Sequence, residues 1–208
     1  MGLNKYEITL LVDWDTARRL LWLTPSLHTY RLRSKPVDVF IEIYNMIAAQ
    51  LTDKGMVSAL VRTRVYHGWH QGNEQTPDHR AIIQMDGREN LPSSIGRVSF
   101  QNPPIPADRL ACDGRFATLR DTMRLRESGG KQPTFEQKMI DTALASDLLF
   151  LGRSANVARE RFLILGEDDD LLPPIIVMER WRVPAWLMRT RAPNRCMQGT
   201  RELIWSLS

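Results

Sequence analysis

The sequence predicts an α/β fold with a mostly parallel central sheet. Short apolar segments with the character of buried strands, such as residues 8–13 and 162–165, alternate with segments of helical periodicity, such as residues 37–51. These strand segments are apolar throughout, which is typical of parallel strands covered by helices on both faces. The alternation of strands and helices along the chain predicts the same class.

Length and composition indicate one domain that spans residues 1–208. A content of 43% hydrophobic residues is enough to build a buried core. The net charge of +4 arises from 23 arginines and 5 lysines against 24 acidic residues. Arginine binds phosphate through a planar fork and stacks on bases, so this bias suits a nucleic-acid partner. A GC-rich coding sequence would produce the same bias without such a partner, and composition leaves both explanations open.

The first third of the chain contains four predicted elements. They are strands at residues 8–13 and 57–65 and helices at residues 16–21 and 37–51, the second helix being ended by Gly55. Arg18 and Arg19 are predicted to face outward from the first helix. A polar loop is predicted at residues 71–80, followed by short strands at residues 81–85 and 97–100.

The segment from about residue 86 to residue 133 is rich in Pro, Gly and Arg. We expect it to be irregular and to form an arm flanking the active surface. Regular structure is predicted to resume at Thr134, a suitable N-cap, and Asp170 is expected to cap a later helix. The predicted elements are helices at residues 135–151 and 171–180 and strands at residues 162–165, 183–188 and 203–207.

Targeting and cysteine usage predict a cytoplasmic protein without a membrane partner. Cys112 and Cys196 have no partner at metal or redox spacing and are expected to be reduced. The N-terminal residues lack the pattern of a signal peptide, and no apolar run approaches the length that spans a bilayer.

Acidic residues follow two of the predicted strands. Asp13 ends the first, and residues 167–170 follow the strand at 162–165. Because ligands of open α/β sheets bind outside the carboxyl ends of the strands, we expect these acids to meet. Asp141 and Asp147 lie six residues apart on the preceding helix, about 240° around its axis, so only one can face that point. Lys138 is predicted to share the face of Asp141.

Carboxylates that converge in this way repel one another unless a cation lies among them. Mg²⁺ or Mn²⁺ is the expected occupant, because hard divalent ions take oxygen ligands. Such a cluster can activate a water and neutralise charge on a phosphoryl group.

Three blocks of the chain resemble the NYN-domain family, a branch of the PIN-like nucleases. They are LLVDWDTARRL, QKMIDTALASDLL and LILGEDDDLLPPI. The first resembles the opening strand of the family, the second its lysine–aspartate helix, and the third its late strand and turn. Thr16 stands where the family usually has Asn, and its hydroxyl is expected to bond a water or a phosphate.

The resemblance implies a Rossmann-like three-layer sandwich of the PIN-like kind. It also implies a divalent-metal-dependent nuclease that cuts RNA or single-stranded nucleic acid. The implied catalytic residues, which would hold one or two Mg²⁺ or Mn²⁺ ions, are Asp13, Asp141, Asp168 and Asp170. The implied supporting residues are Asp15, Thr16, Asp147 and Lys138. The candidates for contacting strand phosphates are Arg153, Arg159 and Arg161. A homo-oligomer or a regulatory protein partner stays open.

Two other functions fit parts of the sequence. Asp13 and Asp15 also mimic the opening motif of the haloacid-dehalogenase phosphatases, in which they would be nucleophile and general acid. Ala17 stands where that class should have Thr or Val. The second alternative is a decayed NYN domain that binds nucleic acid or protein without cleavage, which the replacement at Thr16 favours.

Overall fold

The computed structural model describes residues 6–20, 35–85, 91–112, 118–126, 134–190 and 199–207. Its strands are β1 (Tyr6–Asp13), β2 (Ala59–Tyr66), β3 (His70–Gln71), β4 (Glu74–Gln75), β5 (Ser94–Ile95), β6 (Val98–Pro106), β7 (Met123–Arg126), β8 (Thr134–Gln137), β9 (Glu160–Leu165), β10 (Ala185–Arg189) and β11 (Ile204–Ser206). Its α-helices are α1 (Trp14–Leu20), α2 (Pro36–Asp53), α3 (Pro77–Ile83), α4 (Ile140–Arg153) and α5 (Leu172–Arg180).

A seven-stranded sheet in the order β11-β10-β9-β1-β2-β6-β5 forms the centre of the fold. All its neighbouring strands are parallel except β5 and β6, so the predicted α/β class is confirmed. From β1 the chain first adds β2 and β6 on one side and then crosses to add β9, β10 and β11 on the other. The boundary between β1 and β9 is therefore the topological switch point, outside which α/β sheets bind their ligands.

Helices cover both faces of the sheet, and the central strand β1 is apolar on both. In β1, Leu10 and Val12 belong to the core that includes α1 and α2, whereas Leu11 faces the core that includes α4 and α5. Helices α4 and α5 approach closely at Gly152, where an added Cβ would lie 2.0 Å from Sδ of Met178. The result is a Rossmann-like layered arrangement.

The middle of the chain is more regular than the sequence predicted. Strand β6 continues to Pro106 inside the central sheet, although residues 86–133 were expected to be irregular. Its prolines are tolerated because, among the described residues, the strand on that side is β5, which pairs only with residues 98–99. The predicted polar loop at 71–80 contains the β3–β4 hairpin and the start of α3. The prediction of a strand at residues 81–85 is wrong, because Thr76 caps a helix that runs through Ile83.

The start of α4 also differs from the prediction. Residues 134–137 form β8, which pairs antiparallel with β7, so Thr134 is not the N-cap of the helix. The helix begins at Ile140 and its N-cap is Met139. Asp170 is not a cap either: the Asp168 side chain accepts a hydrogen bond from the Asp170 N–H at the start of a short 3₁₀ helix before α5.

Two further observations concern membranes and thiols. Within the described ranges, no helix is both long and apolar enough to cross a membrane. Cys112 is an exposed free thiol, whereas Cys196 and part of the irregular segment lie outside the described residues.

Candidate active site

An open pocket of about 690 Å³ lies at the carboxyl ends of β1 and β9. One wall comes from the ends of these two strands and the other from β8 and the first turn of α4. Seven acidic side chains line it: Asp13, Asp15, Glu136, Asp141, Glu167, Asp168 and Asp169. Arg19 is the single basic residue among the described residues of its lining. The pocket therefore carries a strong negative charge at the switch point of the sheet.

Asp13 occupies the base of this pocket at the end of β1. The strand register sets its neighbour Val12 opposite Leu165, so Asp13 lies beside the turn that follows β9. Its Oδ1 accepts the N–H of Asp15 at 3.1 Å, and its Oδ2 accepts the Thr16 hydroxyl at 2.6 Å. Burial raises the pKa of Asp13, the Thr16 hydrogen bond opposes this, and the nearby Asp15 carboxylate adds to the rise.

Asp141 enters the pocket from the first turn of α4. Burial raises its pKa, and repulsion from Asp168, Asp13 and Asp170 raises it further. In the part of the chain that the structure describes, no lysine or arginine forms a salt bridge with Asp141, Asp168 or Asp170. Asp13, Asp141, Asp168 and Asp170 therefore interact electrostatically. Among the described residues, Asp13 is the one of these four with an arginine nearby.

The four successive carboxylates of the turn after β9 differ in their partners. Arg189 at the end of β10 is 2% exposed, pairs with Asp169 at 2.5 Å and donates to the Glu167 carbonyl at 3.1 Å. The Glu167 carboxylate accepts the backbone N–H of Thr190 at 2.7 Å. Asp168 and Asp170, between and after these two acids, stay exposed. Arg189 therefore contacts Glu167 and Asp169, whereas Asp168 and Asp170 form no salt bridge among the described residues. Glu167, Asp168 and Asp169 line the pocket, and Asp170 does not.

Asp15 is held at the rim of the pocket by residues from two other segments. The Gln137 side chain donates to Asp15 and accepts the Gly68 N–H at 3.1 Å, which joins β8 to the end of β2. The buried His67 ring lies 3.6 Å from Asp15 and 3.5 Å from Asp78. Burial lowers the pKa of His67 in spite of these two carboxylates.

Asp147 does not reach the pocket, and its predicted supporting role there is wrong. It is 1% exposed and accepts the Tyr66 hydroxyl at 2.8 Å, Arg64 at 3.0 Å and the Ala111 N–H at 2.5 Å. These bonds tie α4 to β2 and to the segment after β6. Helix geometry separated Asp141 from Asp147, and the structure places Asp141 at the pocket.

Thr16 and Lys138 also differ from their expected positions. Thr16 is fully buried and bonds Asp13, so its hydroxyl orients that carboxylate and does not reach a water or a phosphate. Lys138 precedes α4, pairs with Glu136 at 2.8 Å and is absent from the described lining of the pocket. It does not share a helical face with Asp141.

The three arginines predicted to contact phosphates lie away from the carboxylates. Arg161 pairs in register with Ile8, five residues before Asp13, which corresponds to about 16 Å along the strand. Arg159 pairs with Glu7 near the same edge, and Arg153 ends α4 on the approach to β9. These side chains can contact a nucleic acid only outside the pocket.

Arg19 is a pocket residue that the sequence prediction missed, as are Glu136, Gln137 and Met139. Its guanidinium contacts the Thr16 hydroxyl at 3.3 Å and lies 4.0 Å from Asp13, and about half of the side chain is exposed. Its spacing of four from Asp15 on α1 could have indicated a shared face.

The donor set fits a hydrated hard cation. Among the described residues, no group of three or more His, Cys, Asp or Glu side chains is arranged to enclose a metal ion by itself. Mg²⁺ keeps several waters and uses only one or two carboxylates directly, so it does not need such an enclosure. Burial raises the pKa of Asp13 and of Asp141, and neighbouring carboxylates raise both further, so a bound cation would favour their ionised forms.

Comparison of the chain with protein-family models, with curated proteins and with solved structures gives no match.

Proposed function

We propose that this protein is a divalent-metal-dependent nuclease with a PIN-like fold that hydrolyses phosphodiester bonds in RNA or single-stranded nucleic acid. The observation that carries the proposal is the convergence of Asp13, Asp141 and Asp168, with Asp170 close by, at the switch point of the sheet. Asp13, Asp141 and Asp168 come from β1, α4 and the turn after β9. Burial raises the pKa of Asp13 and Asp141, and repulsion from Asp168, Asp13 and Asp170 raises that of Asp141 further. If these aspartates served only as helix caps, there would be no reason for their charges to lie together in one cavity.

Different residues of the pocket would bind the metal ion, orient its ligands and contact the phosphate. Asp13, Asp141 and Asp168 would hold Mg²⁺ or Mn²⁺, with Asp170 adding negative charge beside them. The ion, when bound, would neutralise phosphoryl charge and lower the pKa of a water. Thr16 orients Asp13 through its hydrogen bond. Arg19 can donate to a non-bridging phosphate oxygen, because its exposed guanidinium borders the same cavity.

The direct test is cleavage of end-labelled RNA and single-stranded DNA in the presence of Mn²⁺ or Mg²⁺. Asp141→Asn and Asp168→Asn should each lower the rate by about a hundredfold or more, because each removes a charged ligand. Asp53→Asn is the matched control, since Asp53 is exposed at the end of α2. Wild-type protein that cleaves no substrate of the panel, or Asp168→Asn protein as active as wild type, would refute the proposal.

Metal binding has a readout that does not depend on cleavage. A ligand that binds only the folded state raises its stability by RT ln(1 + [L]/Kd), about 2.7 kcal/mol at a hundred times Kd. Mn²⁺ should therefore raise the melting midpoint of wild-type and Asp53→Asn protein and have a much smaller effect on Asp141→Asn. Equal shifts in all three proteins would place the ion elsewhere.

The phosphatase alternative is favoured by one observation, namely that Asp13 and Asp15 both line the pocket. Beryllium fluoride captured on Asp13 would support that reaction and contradict the nuclease. Binding of RNA without cleavage by either wild type or Asp168→Asn would instead support the decayed binding module.

A further inference from the structure

We propose that Met139 forms a subsite for the nucleobase next to the phosphodiester that is cleaved. The inference rests on the proposed nuclease function and names a contact that chooses and positions the substrate. It follows from where Met139 lies, from its backbone conformation, and from the chemistry of the residues around it.

Met139 exposes an apolar side chain in a cavity that otherwise consists mainly of carboxylates. It is 50% exposed and lines the pocket next to Ile140, two residues before Asp141. A thioether contributes nothing to binding a cation of this kind and gains nothing from phosphate. Its flexible and polarisable side chain is suited to contact with a flat ring.

Methionine is an unfavourable residue for the backbone conformation at position 139. The residue is the N-cap of α4 in the left-handed region at φ 65°, without a side-chain cap. Asn or Gly is better suited both to that conformation and to the N-cap position. Two hydrogen bonds hold the residue in place, from the Lys138 N–H to the Thr122 carbonyl and from the Ala143 N–H to the Met139 carbonyl. Unfavourable conformations that the surrounding structure maintains are concentrated at functional sites.

The position of Met139 selects a nucleobase as its occupant. A nucleotide whose phosphate lies near Asp141 and Arg19 has its base within one nucleotide of the phosphate, close enough to reach the pocket rim. The base can then cover the exposed thioether with its flat face, which removes apolar surface of both partners from water. Contact with a π-face requires no base-specific hydrogen bond, so we expect tolerance of different bases at this place.

The test compares Met139→Asn with Met139→Leu and with Val157→Asn. Val157 is 47% exposed in the turn before β9, so it is a matched apolar control outside the pocket. Met139→Asn should raise the KM for a short RNA by about five- to tenfold, corresponding to burial of part of one side chain. Its melting midpoint should equal or exceed that of wild type, which a purely structural loss would not produce. Val157→Asn should keep the KM of wild type, and Met139→Leu should raise the KM less than Met139→Asn does, because leucine keeps the apolar surface.

Direct binding separates this inference from the proposed function. Fluorescence anisotropy of a labelled RNA, measured in the Asp168→Asn background to keep it intact, should show the same loss for Met139→Asn. An RNA that lacks the base next to the cleaved bond should bind both proteins equally. If wild type cleaves RNA and Met139→Asn binds and cleaves it as wild type does, the Met139 subsite is overturned and the nuclease stands. If wild type neither binds nor cleaves RNA, the proposed function and the subsite both fall.

Discussion

Arg189 should stabilise the folded protein far more than an ordinary surface arginine does. Its guanidinium is almost completely buried behind the acidic turn, where it pairs with Asp169 at 2.5 Å and approaches Glu167 at 4.0 Å. Arg189→Met keeps most of the side-chain volume but removes a buried positive charge that contacts two clustered carboxylates of the pocket lining. The repulsion among the acids of the pocket then increases.

The cost can be worked out from the burial of the three groups. Removing one partner of a buried ion pair costs about 3–5 kcal/mol. The Asp169 side chain is 25% exposed and Glu167 is 10% exposed, so water can hydrate part of the released charge. Glu167 also keeps its hydrogen bond from the Thr190 N–H. We therefore expect the low end, about 3 kcal/mol, which lowers the melting midpoint by about 6–12 °C for a domain of this length.

The assay is urea denaturation followed by tryptophan fluorescence, with Arg62→Met as the control. Arg62 pairs with Glu7 at 3.2 Å, but its side chain is 51% exposed, so its loss should cost less than about 1 kcal/mol. Arg189→Met combined with Asp169→Asn should recover much of the lost stability, because the second change removes the charge with which Arg189 pairs. Equal losses for Arg189→Met and Arg62→Met, or no recovery in the double variant, would refute the reasoning.

Three other predictions concern stability and use the same denaturation assay. Asp147→Ala should cost about 3 kcal/mol, because the buried Tyr66 hydroxyl and two half-buried donors lose their acceptor; a cost under about 1 kcal/mol would contradict this. Burial lowers the pKa of His67 and His79 below 6.5, so the unfolded chain binds more protons. Stability should therefore fall as pH drops below about 6.5, by up to about 1.4 kcal/mol per pH unit for each histidine; a flat profile from pH 7.5 to 5 would count against it. Gly152→Ala would normally stabilise a helix, but its Cβ would meet Met178, so we expect a loss of about 1–2 kcal/mol; a gain would show that the thioether moves aside freely.

The layered α/β arrangement and much of the site could be predicted because both follow from local patterns. Apolar strands such as β1 and β9 carry their own periodicity, and the acids that follow them must meet at one edge of a parallel sheet. Helix geometry also predicted correctly that Asp141 and Asp147 face different ways. Only the start of β6 was predicted, at residues 97–100. Its continuation to Pro106 escaped prediction because prolines normally argue against a strand, and among the described residues β5 pairs only with the start of β6.

By itself, the sequence determined the alternation of strands and helices and the delivery of aspartates to the strand ends. Only the tertiary structure decided which basic partner each acid has. Arg189, 20 residues from Asp169, neutralises that acid, and Arg64, 83 residues from Asp147, holds that one inside the fold. The physical reason is that the charge environment of a carboxylate depends on partners brought from distant strands. Local periodicity carries no information about those partners.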